Sequence, residues 1–143
     1  MKKIKYILLF IGLLFLDQIT KFIFFEKEIN LMGNILRIDF TTNTGIAFGI
    51  FSGLNWLWVI ISLVAAILVW ILFKKYLLSV VLIEVGIIGN LIDRIFFGYV
   101  RDFIGIYVWP NFNVADACNT IGVLILAYYL IKEDLSQRSE TNS

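Results

Sequence analysis

Three aspartates at the ends of apolar segments are the side chains best suited to chemistry in this chain: Asp93, Asp102 and Asp116. The chain has no histidine and one cysteine, Cys118, which excludes His-based metal sites, Ser-His triads and Cys-His dyads. Cys118 lies two positions after Asp116, on another face of any helix there, and we expect it only to pack. Two neighbouring carboxylates share one proton, so that one activates water while the other protonates the substrate. An aspartic mechanism is therefore the chemistry to test.

Asp102 and Asp116 are separated by 14 positions, a connection long enough to return the chain and bring both carboxylates together. Asn113 precedes Asp116 by three positions, the spacing of a helix capping box. A helix N-terminus favours an ionised carboxylate, so we expect Asp116 to ionise more easily and Asp102, among apolar neighbours, to keep the shared proton. Spacing alone leaves two alternatives open: Asn113 and Asp116 only cap a helix, or Asp102 pairs with Arg101 or Arg94 at the surface.

A second polar group is formed by Asn90, Asp93 and Arg94, whose spacing places them on one face of a helix. That face cannot point at lipid, so it serves either the site or a structural cluster that locks helix packing. Asp17 is expected at the same level of the bundle. Asn43 and Gly45 suit the close approach of an extended peptide to the backbone, although an ordinary turn explains them equally well.

The elements that must position these residues are membrane helices. The chain has 143 residues and is 60% hydrophobic, against about 45–50% in soluble domains. Four apolar stretches are each near the ~20 residues that a helix needs to cross a bilayer. They span residues 4–25, 54–73, 76–97 and 114–131. The first could be a cleaved signal peptide, but no small-x-small site follows it, and we expect a retained helix.

Charge asymmetry orients the predicted bundle. One side carries seven basic residues: Lys2, Lys3, Lys5, Lys74, Lys75, Lys132 and Arg138. The other carries five: Lys21, Lys27, Arg37, Arg94 and Arg101. The richer side should be cytoplasmic, which places both termini inside and the loops at 26–53 and 98–112 outside. The net charge of +1 gives no indication of a nucleic-acid partner.

Two further expectations complete the architecture. Residues 36–40 alternate between apolar and polar types, which predicts a strand and, with the glycines that follow, a small extracytoplasmic β-sheet on the membrane. The fold class is therefore an all-α membrane protein with four transmembrane helices and this small sheet. Residues 1–132 should form one membrane domain, and residues 133–143 a polar, disordered cytoplasmic tail.

In order along the chain, these motifs resemble the lipoprotein signal peptidase family, also called signal peptidase II. The resemblance runs from Lys2 to about Ile131 and is carried by five motifs in register. They are Asp17-Gln18-x-Thr20-Lys21, Asn43-x-Gly45-x-Ala47-Phe48-Gly49, Gly89-Asn90-x-x-Asp93-Arg94, Val100-x-Asp102-Phe103 and Phe112-Asn113-x-Ala115-Asp116.

The resemblance implies a membrane aspartic endopeptidase whose catalytic pair is Asp102 and Asp116. It places Asn43, Asn90, Asp93, Arg94 and Asn113 around that pair, and a loop over the active site. The implied substrates are bacterial prolipoproteins that carry diacylglycerol on a cysteine, cleaved just before that cysteine at the outer face of the inner membrane. We expect no metal and no organic cofactor, membrane lipid as surroundings, and a monomer.

Three positions depart from the family pattern, and two other functions compete with it. The residues before the Gly-Asn pair are not uniformly small, Thr42 replaces a residue that is often basic, and the link from Asp102 to Asp116 is short. A transporter or channel component would need polar residues across the membrane, whereas here only Glu84 is deep. A presenilin-like protease would need a Gly-x-Gly-Asp motif within a span, and the sequence has none.

Overall fold

The computed structural model of the protein describes residues 2–33, 35–45 and 53–141. These residues form four helices and one three-stranded sheet. In chain order the elements are α1 (Lys2–Ile23), β1 (Glu28–Asn30), β2 (Leu36–Asn43), α2 (Asn55–Phe73), α3 (Leu77–Phe96), β3 (Val100–Ile106) and α4 (Val114–Thr141).

Helix α3 is the centre of the bundle, because it packs against α1, α2 and α4. Among the described helices, α1, α2 and α4 are long and apolar enough to cross a membrane. Helix α3 carries three charged residues, Glu84, Asp93 and Arg94. Neighbouring helices rather than lipid cover its polar face, which is how a span tolerates such residues. The predicted four-helix membrane fold with a small sheet is confirmed.

Two glycines of α3 let its neighbours approach closely. A Cβ atom on Gly86 would lie 2.5 Å from the Cβ of Asn119 in α4, and one on Gly89 would lie 2.7 Å from an Asp17 oxygen in α1. Small residues at helix contacts permit such packing in membranes. The larger residues around Gly86 therefore do not prevent the contact between α3 and α4.

The sheet is antiparallel with strand order β1-β2-β3. The strand predicted at residues 36–40 is confirmed and continues to Asn43. Asp102 lies in β3, opposite Thr41 of β2, and this strand within the predicted loop at 98–112 was not expected. The adjacent polar residues Arg101 and Asp102 interrupt the apolar pattern of this strand, and both are buried in the fold.

The polar tail is helical up to Thr141, so the expectation of disorder is wrong for residues 133–141. Glu133 accepts hydrogen bonds from Lys75 and Tyr76 between α2 and α3. An ion pair of 3.0 Å joins Arg138 to Asp134, one turn apart. Such pairs at i, i+4 spacing each contribute a few tenths of a kcal/mol, about 0.2–0.5, to a helix.

Candidate active site

Asp102 and Asp116 line the same cavity, which has a volume of about 430 Å³. Strand β3 supplies Asp102, and the first turn of α4 supplies Asp116. Only 2% of the Asp102 surface is exposed to solvent. Neither carboxylate makes an ion pair with a cation within the described ranges. Two carboxyl groups thus face the same cavity, and no described cation forms an ion pair with either of them.

Three asparagine amides hold the two carboxylates. Asn113 Nδ2 donates to Asp102 Oδ1 at 2.6 Å, and Asn43 Nδ2 donates to Asp102 Oδ2 at 3.1 Å. Asn90 Nδ2 donates to Asp116 Oδ1 at 2.7 Å. The Asn113 amide also donates to Asn90 Oδ1 at 3.1 Å. The amides therefore form one connected network that fixes both carboxyl groups relative to each other.

The capping box predicted at the start of α4 is present. Asn113 Oδ1 accepts the backbone N–H of Asp116 at 2.9 Å, and the backbone N–H of Asn113 donates to Asp116 Oδ2 at 3.2 Å. Capping and placement in the site are therefore not alternatives. The same reciprocal bonds that begin the helix also fix the orientation of the Asp116 carboxylate.

The surroundings of Asp102 favour the protonated form of its carboxyl group. Burial raises its pKa to about 7, and the nearby Asp116 carboxylate adds to that increase, while hydrogen bonds from Asn43 and Asn113 oppose it. The alternative that Asp102 pairs with an arginine at the surface is wrong. The Arg101 guanidinium binds Asp93 at 2.7 Å, and Arg94 donates to the backbone carbonyl of Gly45 at 3.2 Å.

A buried ionic cluster lies behind the asparagines. Lys21, Asp17 and Asp93 are each fully buried. The Lys21 ammonium lies 2.9 Å from Asp17 Oδ2 and 3.3 Å from Asp93 Oδ2, and it donates to Asn90 Oδ1 at 3.0 Å. Asp17 Oδ1 also accepts the backbone N–H of Ala115 at 2.8 Å. This cluster joins α1, α3 and the first turn of α4.

Asp93 therefore belongs to the support of the site. Its carboxylate accepts hydrogen bonds from the side chain and backbone N–H of Arg101, the residue immediately before Asp102 in β3. The Arg101 guanidinium also lies 4.3 Å from the centre of the Phe97 ring. These contacts favour a structural role for Asp93 over a direct role in the chemistry. Asp93 positions the strand that carries Asp102.

Sequence reasoning missed the part played by Lys21. We counted it with the outward-facing charges, although it comes one helical turn after Asp17. Acidic and basic residues at i, i+4 spacing inside a predicted span are a signal for a buried pair. Gln18 was missed as well, and it accepts from Arg101 at 3.0 Å and donates to Asp17 at 2.9 Å.

The remaining predicted site residues lie along the same cavity or outside the described part. Asn43 and Arg94 line the cavity. The Gly45 N–H donates to Asn43 Oδ1 at 3.1 Å, so the ordinary turn is present and also orients the Asn43 amide. Ala47, Phe48 and Gly49 of the same motif lie outside the described residues.

A family model described as signal peptidase (SPase) II matches residues 9–132 of the chain. The chain belongs to the signal peptidase II family. A lipoprotein signal peptidase of Caldicellulosiruptor bescii is 42% identical over 82% of this chain and 85% of that protein. One of Halothermothrix orenii is 36% identical over 90% of this chain and 96% of that protein.

Two solved structures share the fold of this chain. A bacterial membrane enzyme solved at 2.3 Å resolution matches with a TM-score of 0.84 and 31% identity over 91% of this chain and 89% of that one. A second, at 1.9 Å, matches with a TM-score of 0.80. As a member of the family, the chain is a bacterial membrane protein and an aspartic-type peptidase that removes signal peptides from prolipoproteins.

Proposed function

We propose that Asp102 and Asp116 are the catalytic pair, and that the substrate is a prolipoprotein with diacylglycerol on its cysteine, cleaved just before that cysteine. The observation that carries this assignment is the shared cavity. Two carboxyl groups from different elements line it, asparagine amides bind both, and no cation within the described ranges pairs with either. The protein acts as a monomer at the outer face of the bacterial inner membrane, with both termini cytoplasmic.

The geometry supports the following proton path. The Asp116 carboxylate takes a proton from water, and the water oxygen attacks the scissile carbonyl carbon while Asp102 gives its proton to the carbonyl oxygen. The tetrahedral intermediate then breaks its C–N bond as the proton held by Asp116 passes to the leaving amine. A hydroxyl proton of the intermediate returns to Asp102 as the new carboxyl group forms. The pair ends with one proton, as it began.

The substrate assignment is tested with two matched peptides. One carries diacylglycerol on the cysteine, and the other has the same sequence with a free cysteine. We expect the purified protein to cleave only the lipidated peptide, at the bond preceding the cysteine, as mass spectrometry of the products would show. Equal cleavage of both peptides would refute the lipid requirement, and cleavage at another bond would refute the proposed position.

Orientation is a separate prediction. Three of the five basic residues counted on the outer side are drawn into the fold, since Lys21 and Arg101 are buried and Arg94 lines the cavity. The difference in exposed basic residues between the two sides is therefore larger than the sequence count, and it favours cytoplasmic termini more strongly. A reporter that is active only in the cytoplasm should be active when it is fused after Ser143. Activity of a periplasm-specific reporter at that position would contradict the four-span orientation.

Activity should fall as pH rises above about 7. The pKa of Asp102 is raised to about 7, so the pair keeps its shared proton below that pH and loses it above. Well above the pKa, kcat/KM should decrease about tenfold per pH unit, because only the protonated fraction is active. The measurement is kcat/KM between pH 5.5 and 9 at constant ionic strength. A flat profile from pH 6 to 9 would contradict proton donation by Asp102.

Arg94→Ala should weaken substrate binding with little effect on the fold. The Arg94 guanidinium lines the cavity and donates to the Gly45 carbonyl, close to where an extended peptide would lie. We expect KM to rise roughly tenfold, the loss typical of one charged hydrogen bond. Arg37→Ala is the matched control, because Arg37 pairs with Asp39 outside the cavity. Unchanged KM in Arg94→Ala would leave Arg94 with a structural role only.

A further inference from the structure

A second cavity of about 800 Å³ lies between α1, α2 and α3, at the end of the bundle away from Asp102 and Asp116. Most of its wall is apolar and includes Phe10, Ile67, Trp70 and Ile71. Helix α3 separates it from the catalytic cavity. Gly86, Ile87 and Asn90 face the catalytic cavity, whereas Val81, Glu84 and Ile88 face the second one. A substrate in the catalytic cavity therefore leaves this space unfilled.

Glu84 is the unexplained polar group of this cavity. It is 9% exposed, and its Oε1 atom has no hydrogen-bond partner in the part of the chain that the structure describes. The side-chain amide of Asn55, at the start of α2, donates to the Arg94 carbonyl at 2.9 Å. A buried polar group without a partner is costly, above all at membrane depth. Glu84 therefore indicates a ligand that supplies the missing hydrogen bond.

Two lysines give the cavity its charge. Lys3 of α1 and Lys74 after α2 both line it, and both are exposed. Neither forms an ion pair with a carboxylate among the described residues. A pair of unmatched cations above an apolar groove favours a ligand with an anionic head and an apolar tail. It disfavours the basic n-region of a signal peptide, which the lysines would repel.

We propose that this cavity binds an anionic phospholipid from the leaflet at that end of the bundle. Lys3 and Lys74 bind the phosphate, and one acyl chain lies along Phe10, Ile67 and Ile71. Basic pockets between helices on the cytoplasmic side bind anionic head groups in this manner. With the orientation proposed above, the leaflet is the cytoplasmic one.

The depth of Glu84 fits this arrangement. Glu84 lies seven residues after Leu77, the first residue of α3, or about 10 Å at 1.5 Å per residue. Its side chain is tilted back toward the helix N-terminus and thus toward the lysines. That places the carboxyl group below the phosphate, at the level of the glycerol esters. The protonated carboxyl group of Glu84 donates a hydrogen bond to an ester carbonyl of the lipid. The lipid thereby supplies the partner that Glu84 lacks among the described residues.

The test uses Trp70, which lines the cavity. The full chain in dodecyl maltoside is titrated with phosphatidylglycerol or phosphatidylcholine carrying dibrominated acyl chains, which quench tryptophan. Subtracting the signal of Trp70→Phe isolates the Trp70 contribution. We expect the parent to prefer phosphatidylglycerol by about tenfold, since each lysine near an anionic head group contributes several-fold. Equal quenching by both lipids in the parent would overturn the proposal.

Variants separate the two parts of the site. Lys3→Gln with Lys74→Gln should abolish the preference for phosphatidylglycerol. Lys5→Gln with Lys132→Gln, which removes the same charge at the same end of the bundle without touching the cavity, should retain it. Glu84→Leu should weaken the binding of both lipids several-fold. Glu84→Gln keeps a hydrogen-bond donor and should bind both lipids like the parent. If the two lysine pairs had equal effects, binding would be due to general surface charge and the site would be refuted. Unchanged binding in Glu84→Leu would refute the role given to Glu84.

Discussion

Asp102→Asn and Asp116→Asn are each expected to lower kcat/KM for a diacylglyceryl prolipoprotein by at least about 1,000-fold, because general acid and general base catalysis each contribute roughly 100- to 10,000-fold. Asparagine keeps the size of aspartate, but its single oxygen can accept only one of the two hydrogen bonds that each carboxylate receives. It can neither take a proton from water nor give one to the carbonyl oxygen. One carboxyl group cannot serve as both base and acid in the same step.

The double variant should be little worse than either single variant. Groups that act as a unit are strongly non-additive, since removal of one member already prevents the concerted proton transfer. If the two losses multiplied, the carboxyl groups would be acting independently. Cleavage by a folded Asp102→Asn variant at near the parent rate would exclude the pair altogether. Asp39→Asn, on the neighbouring strand and outside the cavity, is the matched control and should retain activity.

Thermal unfolding distinguishes a catalytic loss from a folding defect. The folded pKa of Asp102, about 7, lies above its ordinary value of 3.8. Its contribution to stability is therefore complete below about pH 4 and is lost as pH rises through 7. Asp102→Asn cannot ionise and avoids that loss. The hydrogen bond lost on substitution lowers Tm at every pH, so the expected result is a smaller fall in Tm between pH 5 and pH 8 for Asp102→Asn than for the parent. An inactive variant that unfolds cooperatively with this weaker pH dependence is folded, so its inactivity is a catalytic loss.

Much of this site was predictable because its residues obey local rules. The spacing of Asn113 and Asp116 predicted a capping box, and the same bonds orient the Asp116 carboxylate. The i, i+3, i+4 spacing placed Asn90, Asp93 and Arg94 on one face of α3. Helix periodicity and span length are local properties that a sequence displays directly. The alternation at residues 36–40 predicted β2 for the same reason.

What the sequence did not reveal depends on contacts between distant elements. Strand β3 was not predicted, because the adjacent polar residues Arg101 and Asp102 break the alternation that identifies a strand. Both are buried through tertiary contacts that the local sequence does not show. Whether Asp102 paired with arginine was undecidable from spacing, since Asp93 competes for Arg101 from another element. The helical tail likewise depends on Lys75 and Tyr76, which reach Glu133 from the turn between α2 and α3.

Lys21→Met is expected to produce the second large effect. Methionine preserves the volume and apolar stem of lysine but removes the ammonium that lies between Asp17 and Asp93. Breaking a buried ion pair by removing one partner typically costs about 3–5 kcal/mol, because the other charge is left uncompensated. Arg101 still neutralises Asp93, so most of the cost should come from Asp17. Lys27→Met, at an exposed position after α1, is the control and should have no effect on the unfolding temperature.

Activity should fall for a separate reason, which a second substitution isolates. The Lys21 ammonium donates to Asn90 Oδ1, and the Nδ2 of the same amide donates to Asp116, so loss of the lysine releases the amide that orients the proposed base. Adding Asp17→Asn to Lys21→Met removes the uncompensated carboxylate. The double variant should therefore recover much of the lost unfolding temperature, while kcat stays at least about tenfold below the parent. If activity returned together with stability, Lys21 would act only on the fold. If Lys21→Met alone unfolded and cleaved like the parent, the cluster would contribute to neither, and the Asn113 and Asn43 amides with the capping box would suffice to hold the pair.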